Sequence, residues 1–368
     1  MGGGHAAKRN SGRTRWRRRI LMSLLALFLL LIAYLFWILW WAHHNLHQAL
    51  LLPYDPGTSP GENILLIGSD SHDFSDLNNN GRADVIQLIH IDEGRKRAYV
   101  IHFPRDFYVS IPCGPTHCGG LAPADNKAKI NASFSWGALW HQPGLRGSEG
   151  ASQLLVKTLQ DLLSAPGQPP FHIDHVMMMG FCGFANLTDD LGGVDIDVTQ
   201  AYDEGVQPAN ATCANGGAYG RWTVGMHHMT GLEALGFVRE RHQLALGDID
   251  RGRDQQAWMA AVFRKLTKSG VLLNPVELPQ VISDGLSNTI VDQRMGMGYL
   301  IGLGRDVAIH NLKVSYFTAP YVHNGTSFLT IPGVGQVLTY DPAGMSELGY
   351  DLRHDQMAGY SINQNQVQ

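Results

Sequence analysis

Polar residues sit at the ends of short apolar runs in this 368-residue chain, and their types suit phosphate chemistry. Asp70 closes one run in GSD. Arg82 and Asp84 open the next in RAD, and Arg105 and Asp106 follow a third in FPRD. Two converging carboxylates suit a hard divalent cation such as Mg²⁺, which completes its shell with substrate phosphate oxygens and water. Arginines beside them suit phosphate, because the guanidinium fork matches it bidentately. On spacing alone, ordinary ion pairs at loop edges are the simpler reading.

A second dense region is Phe237 to Gln256, FVRERHQLALGDIDRGRDQQ. Arg239 and Arg241 would lie about 200° apart on a helix and could not grip one ligand. Their joint use requires a helix to end near Val238 and the chain to continue extended. Arg251 and Gln255 are one helical turn apart and can face the same way. Asp248 either caps the following helix or orients an arginine. The stretch Asp76-Leu-Asn78-Asn-Asn80-Gly81 looks like the start of a calcium loop, but Gln87 stands where the bidentate Glu belongs, so a turn is expected. Nothing matches a nucleophile elbow, a zinc-protease helix or a P-loop.

These residues need elements to hold them. Asn63 to Gly68 reads as a buried strand; Val85 to Ile91 and Ala98 to Phe103 read as a hairpin through Asp92-Glu93-Gly94. Ser152 to Leu163 has helical periodicity, His175 to Phe181 is an inner strand with Met177 to Met179 in the core, and Gly231 to Val238 and Asp254 to Leu266 are helices. The stretch from Gly193 to Tyr219 is loop-rich. Strand and helix signals alternate, which predicts one α/β domain over residues 61–340. Residues 341–368, without apolar periodicity and Gln/Asn-rich at the end, read as a flexible C-terminal tail.

The N-terminus carries a topology signal. Residues 20–42 form a stretch of 23 residues without a charge, about 35 Å long as a helix and sufficient to cross a bilayer. Residues 1–19 hold seven bases and no acid, so the positive-inside bias keeps this tail in the cytoplasm, makes the helix a signal-anchor, and puts everything beyond it outside the cell membrane. Residues 43–60 read as a stalk. A cleaved signal peptide would have a shorter apolar core and a small-residue cleavage site. With seven of the 28 bases in the tail, the outer part carries 21 bases against 32 acids, a net charge of −11 with histidine neutral. So acidic a body argues against nucleic acid as a partner, and any polyanion must be held by a local basic cluster. Four cysteines in an oxidising compartment suggest disulfides. Cys113 and Cys118 share the loop CGPTHC and are expected to pair, leaving Cys182 for Cys213; a metal knuckle would lack a second close pair.

Taken in order, these segments resemble the LytR–CpsA–Psr family of cell-wall ligases. The resemblance runs from Asn63 to about Gln256, more weakly to about residue 340. It rests on NILLIGSD, RAD, FPRD with Ile111-Pro112, Lys129-Ile130-Asn131-Ala132, NLTDDLGGVDIDV, TGLEAL, VRER and GD-x-x-R. Each motif alone is weak; their common order is specific. The basic tail, Trp-rich anchor and loop cysteines look like actinobacterial members.

The resemblance implies a three-layer α/β/α domain with a central mixed sheet that binds a polyprenyl pyrophosphate-linked glycopolymer, its lipid tail in an apolar tunnel. It implies transfer of that glycopolymer to peptidoglycan through a phosphodiester. Asp70 and Asp84 would hold Mg²⁺; Arg82, Arg105, Lys129, Asn131, Arg239, Arg241, Arg251 and Gln255 would surround the pyrophosphate. Asp106 would either accept the hydroxyl proton or orient Arg105. A lipid-pyrophosphate hydrolase and a non-catalytic lipid-glycan adaptor are the alternative readings. Three positions depart from the pattern: His72 and Val85 replace the usual Arg and Thr, and Asp254 replaces the second arginine of R-x-x-R-Q. Asp254, one turn from Arg251, is placed to pair with it.

Overall fold

A computed structural model describes residues 11–44, 46–53, 57–70, 81–113, 125–139, 145, 147–164, 170–215, 219–270, 272, 274, 281, 285, 288–322 and 327–360. Residues 76–80 of the expected turn, and His72, lie outside these residues. The centre is a seven-stranded mixed sheet. Its strands in chain order are β1 (His47–Ala49), β2 (Glu62–Ser69), β3 (Ala83–Ile91), β4 (Arg97–His102), β7 (His175–Gly180), β12 (Thr289–Asp292) and β13 (Lys313–Thr318). In space the order is β1-β12-β7-β2-β3-β4-β13. β2, β3 and β4 form an antiparallel meander, while β2 pairs with β7, β4 with β13 and β1 with β12 in parallel.

Alternation along β2 explains the layers. Leu65 and Ile67 face α2 (Ile130–Leu139), α3 (Gly147–Leu163) and α8 (Pro342–Arg353), in a core with Phe134, Leu155, Leu159 and Leu348. Ile64 faces the opposite side, in a core with Leu300 of α7 (Met297–His310) and Phe263 of α6 (Asp248–Ser269). A third core joins α6 to α4 (Phe181–Asp190), α5 (Gly231–Phe237) and the ribbon of β8 (Val194–Val198) with β11 (Gly225–Met229). This ribbon lies partly in the stretch expected to be loop. The hairpin turn forms as expected, with Asp92 Oδ1 accepting from the backbone N–H of Lys96 and Arg97 at 2.7 and 2.9 Å.

Both expected boundaries of the domain are corrected. Part of the stalk joins the sheet as β1; Ala49 and Leu51 are fully buried, and the Leu50 N–H donates to Glu149 at 3.0 Å. The C-terminal residues are no tail up to position 360. Asp341 caps α8, Pro342 fits its first turn, and Met345, Leu348 and Leu352 bury one stripe of it. At Gly349 a Cβ would fall 2.0 Å from the Leu163 carbonyl oxygen, so glycine sets the closeness of α8 to α3.

Cys182 and Cys213 stand at disulfide distance with Cα atoms 4.9 Å apart. Cys113 is also disulfide-bonded, while its expected partner Cys118 lies outside the described residues. The N-terminal segment forms α1 (Ser11–His44), enclosing residues 20–42. Among the described residues no helix is long and apolar enough to cross a membrane, and several side chains of α1 lie outside the description.

Candidate functional site

The ends of β2 and β3 open into a cavity of about 260 Å³. The β2–β3 ladder shifts register between Gly68, opposite Val85, and Ser69, opposite Ala83. A Cβ at Gly68 would meet that of Val85 at 2.6 Å, so this close approach needs glycine. Five arginines line the cavity, Arg82, Arg105, Arg239, Arg241 and Arg251, against one acid, Asp84. Its floor is apolar, formed by Leu66, Val85, Met179, Phe184 and Trp258, with the last two rings stacked at 4.0 Å. Met179 also lines a second, almost wholly apolar cavity of about 270 Å³ with Phe263, Leu266, Leu300 and Leu303. Gly180 and Phe181 belong to the wall, so β7 delivers the N-terminal end of α4 there.

An ion-pair chain fixes two of the arginines. Arg105 pairs with Asp84 and, at 3.3 Å, with Asp248; Asp248 also pairs with Arg251. Burial alone would lower the Arg105 guanidinium, but Asp84 and then Asp248 outweigh it and raise it. Burial lowers Arg251, with Asp248 opposing, and raises Asp248, with Arg251 opposing most. Gly247 takes the N-cap position, so Asp248 orients arginines rather than capping. Arg239 lies over the Phe181 ring, 4.3 Å from its centroid. Burial lowers it too, opposed by Asp84 and Asp70 together, so both carboxylates act on this one guanidinium. Half of the condition set for joint use of Arg239 and Arg241 is met: α5 ends at Phe237, but the chain beyond it turns instead of running extended, with the Arg239 and Glu240 N–H groups donating to the Gly236 and Phe237 carbonyls at 3.3 Å, and both arginines still line the cavity.

Of the expected site residues, Arg82, Asp84, Arg105, Arg239, Arg241, Arg251 and Gln255 meet in the cavity wall. Asp70 stands just behind, accepting from the Arg82 backbone N–H. Three others are elsewhere. β6 (Lys127–Lys129) pairs with β5 (Tyr108–Ser110) and turns Lys129 onto Asp106, Nζ to Oδ1 at 2.7 Å. Asp106 therefore holds Lys129 rather than Arg105, and neither lines the cavity. Asn131 contributes a backbone N–H to the Arg105 carbonyl at 3.3 Å and is likewise outside the wall. Asp254 does not pair with Arg251, whose carboxylate partner is Asp248. Burial, with Asp250 and Glu240 nearby, pushes Asp254 well above the usual carboxylate range.

Gln87 was missed. Fully buried in β3, it lines the cavity with neither amide atom hydrogen-bonded. Its signal is a lone amide inside the run VIQLIHI. Next to it in register stands His102, wholly buried, whose pKa is lowered to about 3 by burial and the charge of Arg251. The donor set of Asp70 and Asp84 fits a hard cation: two carboxylates whose charges bear on one guanidinium, with no third protein ligand grouped among the described residues.

The LytR_cpsA_psr family model matches residues 54–333. The cell wall biosynthesis protein LcpA of Corynebacterium glutamicum is 29% identical over 246 residues, 62% of this chain and 44% of that protein. TagV of Bacillus subtilis, a polyisoprenyl-teichoic acid–peptidoglycan teichoic acid transferase, is 23% identical over 227 residues, 62% of this chain and 49% of that one. The chain thus spans about half the length of these relatives. The LytR-Csp2A-Psr enzyme structure from Actinomyces oris shares the fold with a TM-score of 0.55 at 19% identity, covering 85% of this chain and 97% of that one.

Proposed function

The chain belongs to the LytR–CpsA–Psr family, and we propose that it transfers a glycopolymer from a polyprenyl pyrophosphate carrier to peptidoglycan, outside the membrane in which residues 20–42 anchor it. One observation carries this reading: five arginines over an apolar floor, with Met179 shared between this cavity and a second, almost wholly apolar one. Such a surface takes a pyrophosphate at one end and a hydrocarbon chain at the other. The transferase name of the Bacillus subtilis relative points the same way.

In the proposed reaction a sugar hydroxyl of peptidoglycan attacks the phosphorus that bears the glycan. The bond from that phosphorus to the bridging oxygen breaks, polyprenyl phosphate leaves, and the hydroxyl proton passes to solvent. A loose phosphoryl transfer asks mainly for position and charge neutralisation. Arg105 and Arg251, held by Asp248, bind the pyrophosphate oxygens; Arg239, Arg241 and Arg82 close around them. Asp84 and Asp70 would hold Mg²⁺, which when bound neutralises phosphate charge.

The test is transfer by the purified chain from a polyprenyl pyrophosphate-linked glycan, with and without peptidoglycan. Acceptor-dependent release of polyprenyl phosphate, with glycan appearing on the wall, is the expected result, and Arg105→Ala should abolish it. Release indifferent to acceptor would make the protein a hydrolase. Unchanged transfer in both Arg105→Ala and Asp84→Ala would remove the proposed site from the chemistry.

A further inference from the structure

We propose that Glu204, Glu240 and His242 form a second site on this chain, for a divalent transition-metal ion of the zinc class, and that the bound ion locks the segment carrying Arg239 and Arg241. A ligand atom from each of the three residues lies within 4.8 Å of the other two. Metal–ligand bonds of about 2.0–2.2 Å put neighbouring ligand atoms roughly 3–4 Å apart, so small side-chain adjustments close the site. Two carboxylates with one imidazole suit zinc or its first-row neighbours better than magnesium, which avoids nitrogen ligands.

Glu240 supplies the second, independent observation. Its side chain is fully buried, and Oε1 accepts the backbone N–H groups of Arg241, His242 and Gln243. Its Oε2 is buried and finds no hydrogen-bond partner among the described residues. An orphaned carboxylate oxygen in such a place is costly unless a cation or proton meets it.

The scaffold is already tied together. The Gln243 amide donates to Glu204 Oε1 and to the Asp203 carbonyl, both at 2.8 Å, and accepts from the Asp203 N–H. This seam joins the 240–243 segment to the strand Tyr202–Asp203 that precedes Glu204. Arg239 and Arg241 flank Glu240 in sequence and both line the cavity proposed above to take the pyrophosphate. An ion here would hold both arginines without touching the substrate.

The full chain, stripped with a chelator, is titrated with ZnCl₂ under excess Mg²⁺ against a chromophoric competitor. One equivalent should bind, and His242→Ala and Glu204→Gln should each weaken it by at least about tenfold with unchanged circular dichroism. Zinc should also slow amide exchange at Arg241, His242 and Gln243 in the parent but not in His242→Ala. Absence of stoichiometric zinc, or equal affinity in the parent and both variants, would overturn the proposal. Metal content and exchange are read without turnover, so this outcome is separate from that of the transfer assay.

Discussion

Asp248 stands 3.3 Å from Arg105 and pairs with Arg251 as well, so one carboxylate at the start of α6 positions two arginines from different parts of the chain. The side chains are 8%, 11% and 6% exposed respectively. At that burial, removing the shared partner leaves two guanidinium groups competing for Asp84 alone.

Asp248→Asn keeps the shape and removes the charge. Stability should fall by about 2 kcal/mol, below the usual cost of breaking a buried pair because Asp84 still holds Arg105. Denaturant unfolding gives the stability, and acceptor-dependent release of polyprenyl phosphate under saturating donor gives the activity, which should drop with it. Unchanged values for both would mean that the two arginines are held by other groups.

The Arg239 guanidinium lies over the Phe181 ring, 4.3 Å from its centroid. Arg239→Lys keeps the charge and loses the stack, worth about 1 kcal/mol, or roughly a fivefold weaker grip on the lipid pyrophosphate. The change should appear in KM for the donor, with the free energy of unfolding lowered by no more than about 1 kcal/mol.

His102 makes the domain acid-sensitive. Burial lowers its pKa from the ordinary 6.5 to about 3 in the folded chain, so between those values the unfolded chain binds a proton that the folded one does not. Its contribution is therefore intact above pH 6.5 and is lost as pH falls toward 3, by at most about 1.4 kcal/mol per unit. A stability–pH profile of His102→Gln should be flatter over that window.

Leu348→Ala tests the C-terminal correction. A leucine fully buried in the main core should cost about 2–5 kcal/mol on truncation to alanine. A mobile tail would predict no effect, and thermal unfolding distinguishes the two.

The strands that bear the site were legible because their apolar runs end in charged triplets. β2, β3 and β4 fall within two residues of expectation, and Arg82, Asp84 and Arg105 come to the cavity with them. What failed was side-chain direction in short elements. Lys129 belongs to a three-residue strand whose pairing with Tyr108 decides where it points, and that pairing leaves no periodic trace. Asp254 and Asp248 are each three residues from Arg251, so spacing could not choose between them; both side chains are buried, and side-chain direction puts Asp248 on Arg251 and Asp254 near Asp250 and Glu240. The apolar stripe of α8 was hidden by Gly344 and Gly349, residues that ordinarily argue against a helix but here admit close neighbours.

Because β1 starts at His47, three residues after α1 ends at His44, little slack separates the helix from the sheet. Each residue reaches at most about 3.6 Å. With α1 in the bilayer, as proposed, the cavity would work at a nearly fixed height above the lipid surface. The acceptor strand of the wall would then have to come down to the enzyme, since so short a leash gives the enzyme no reach of its own.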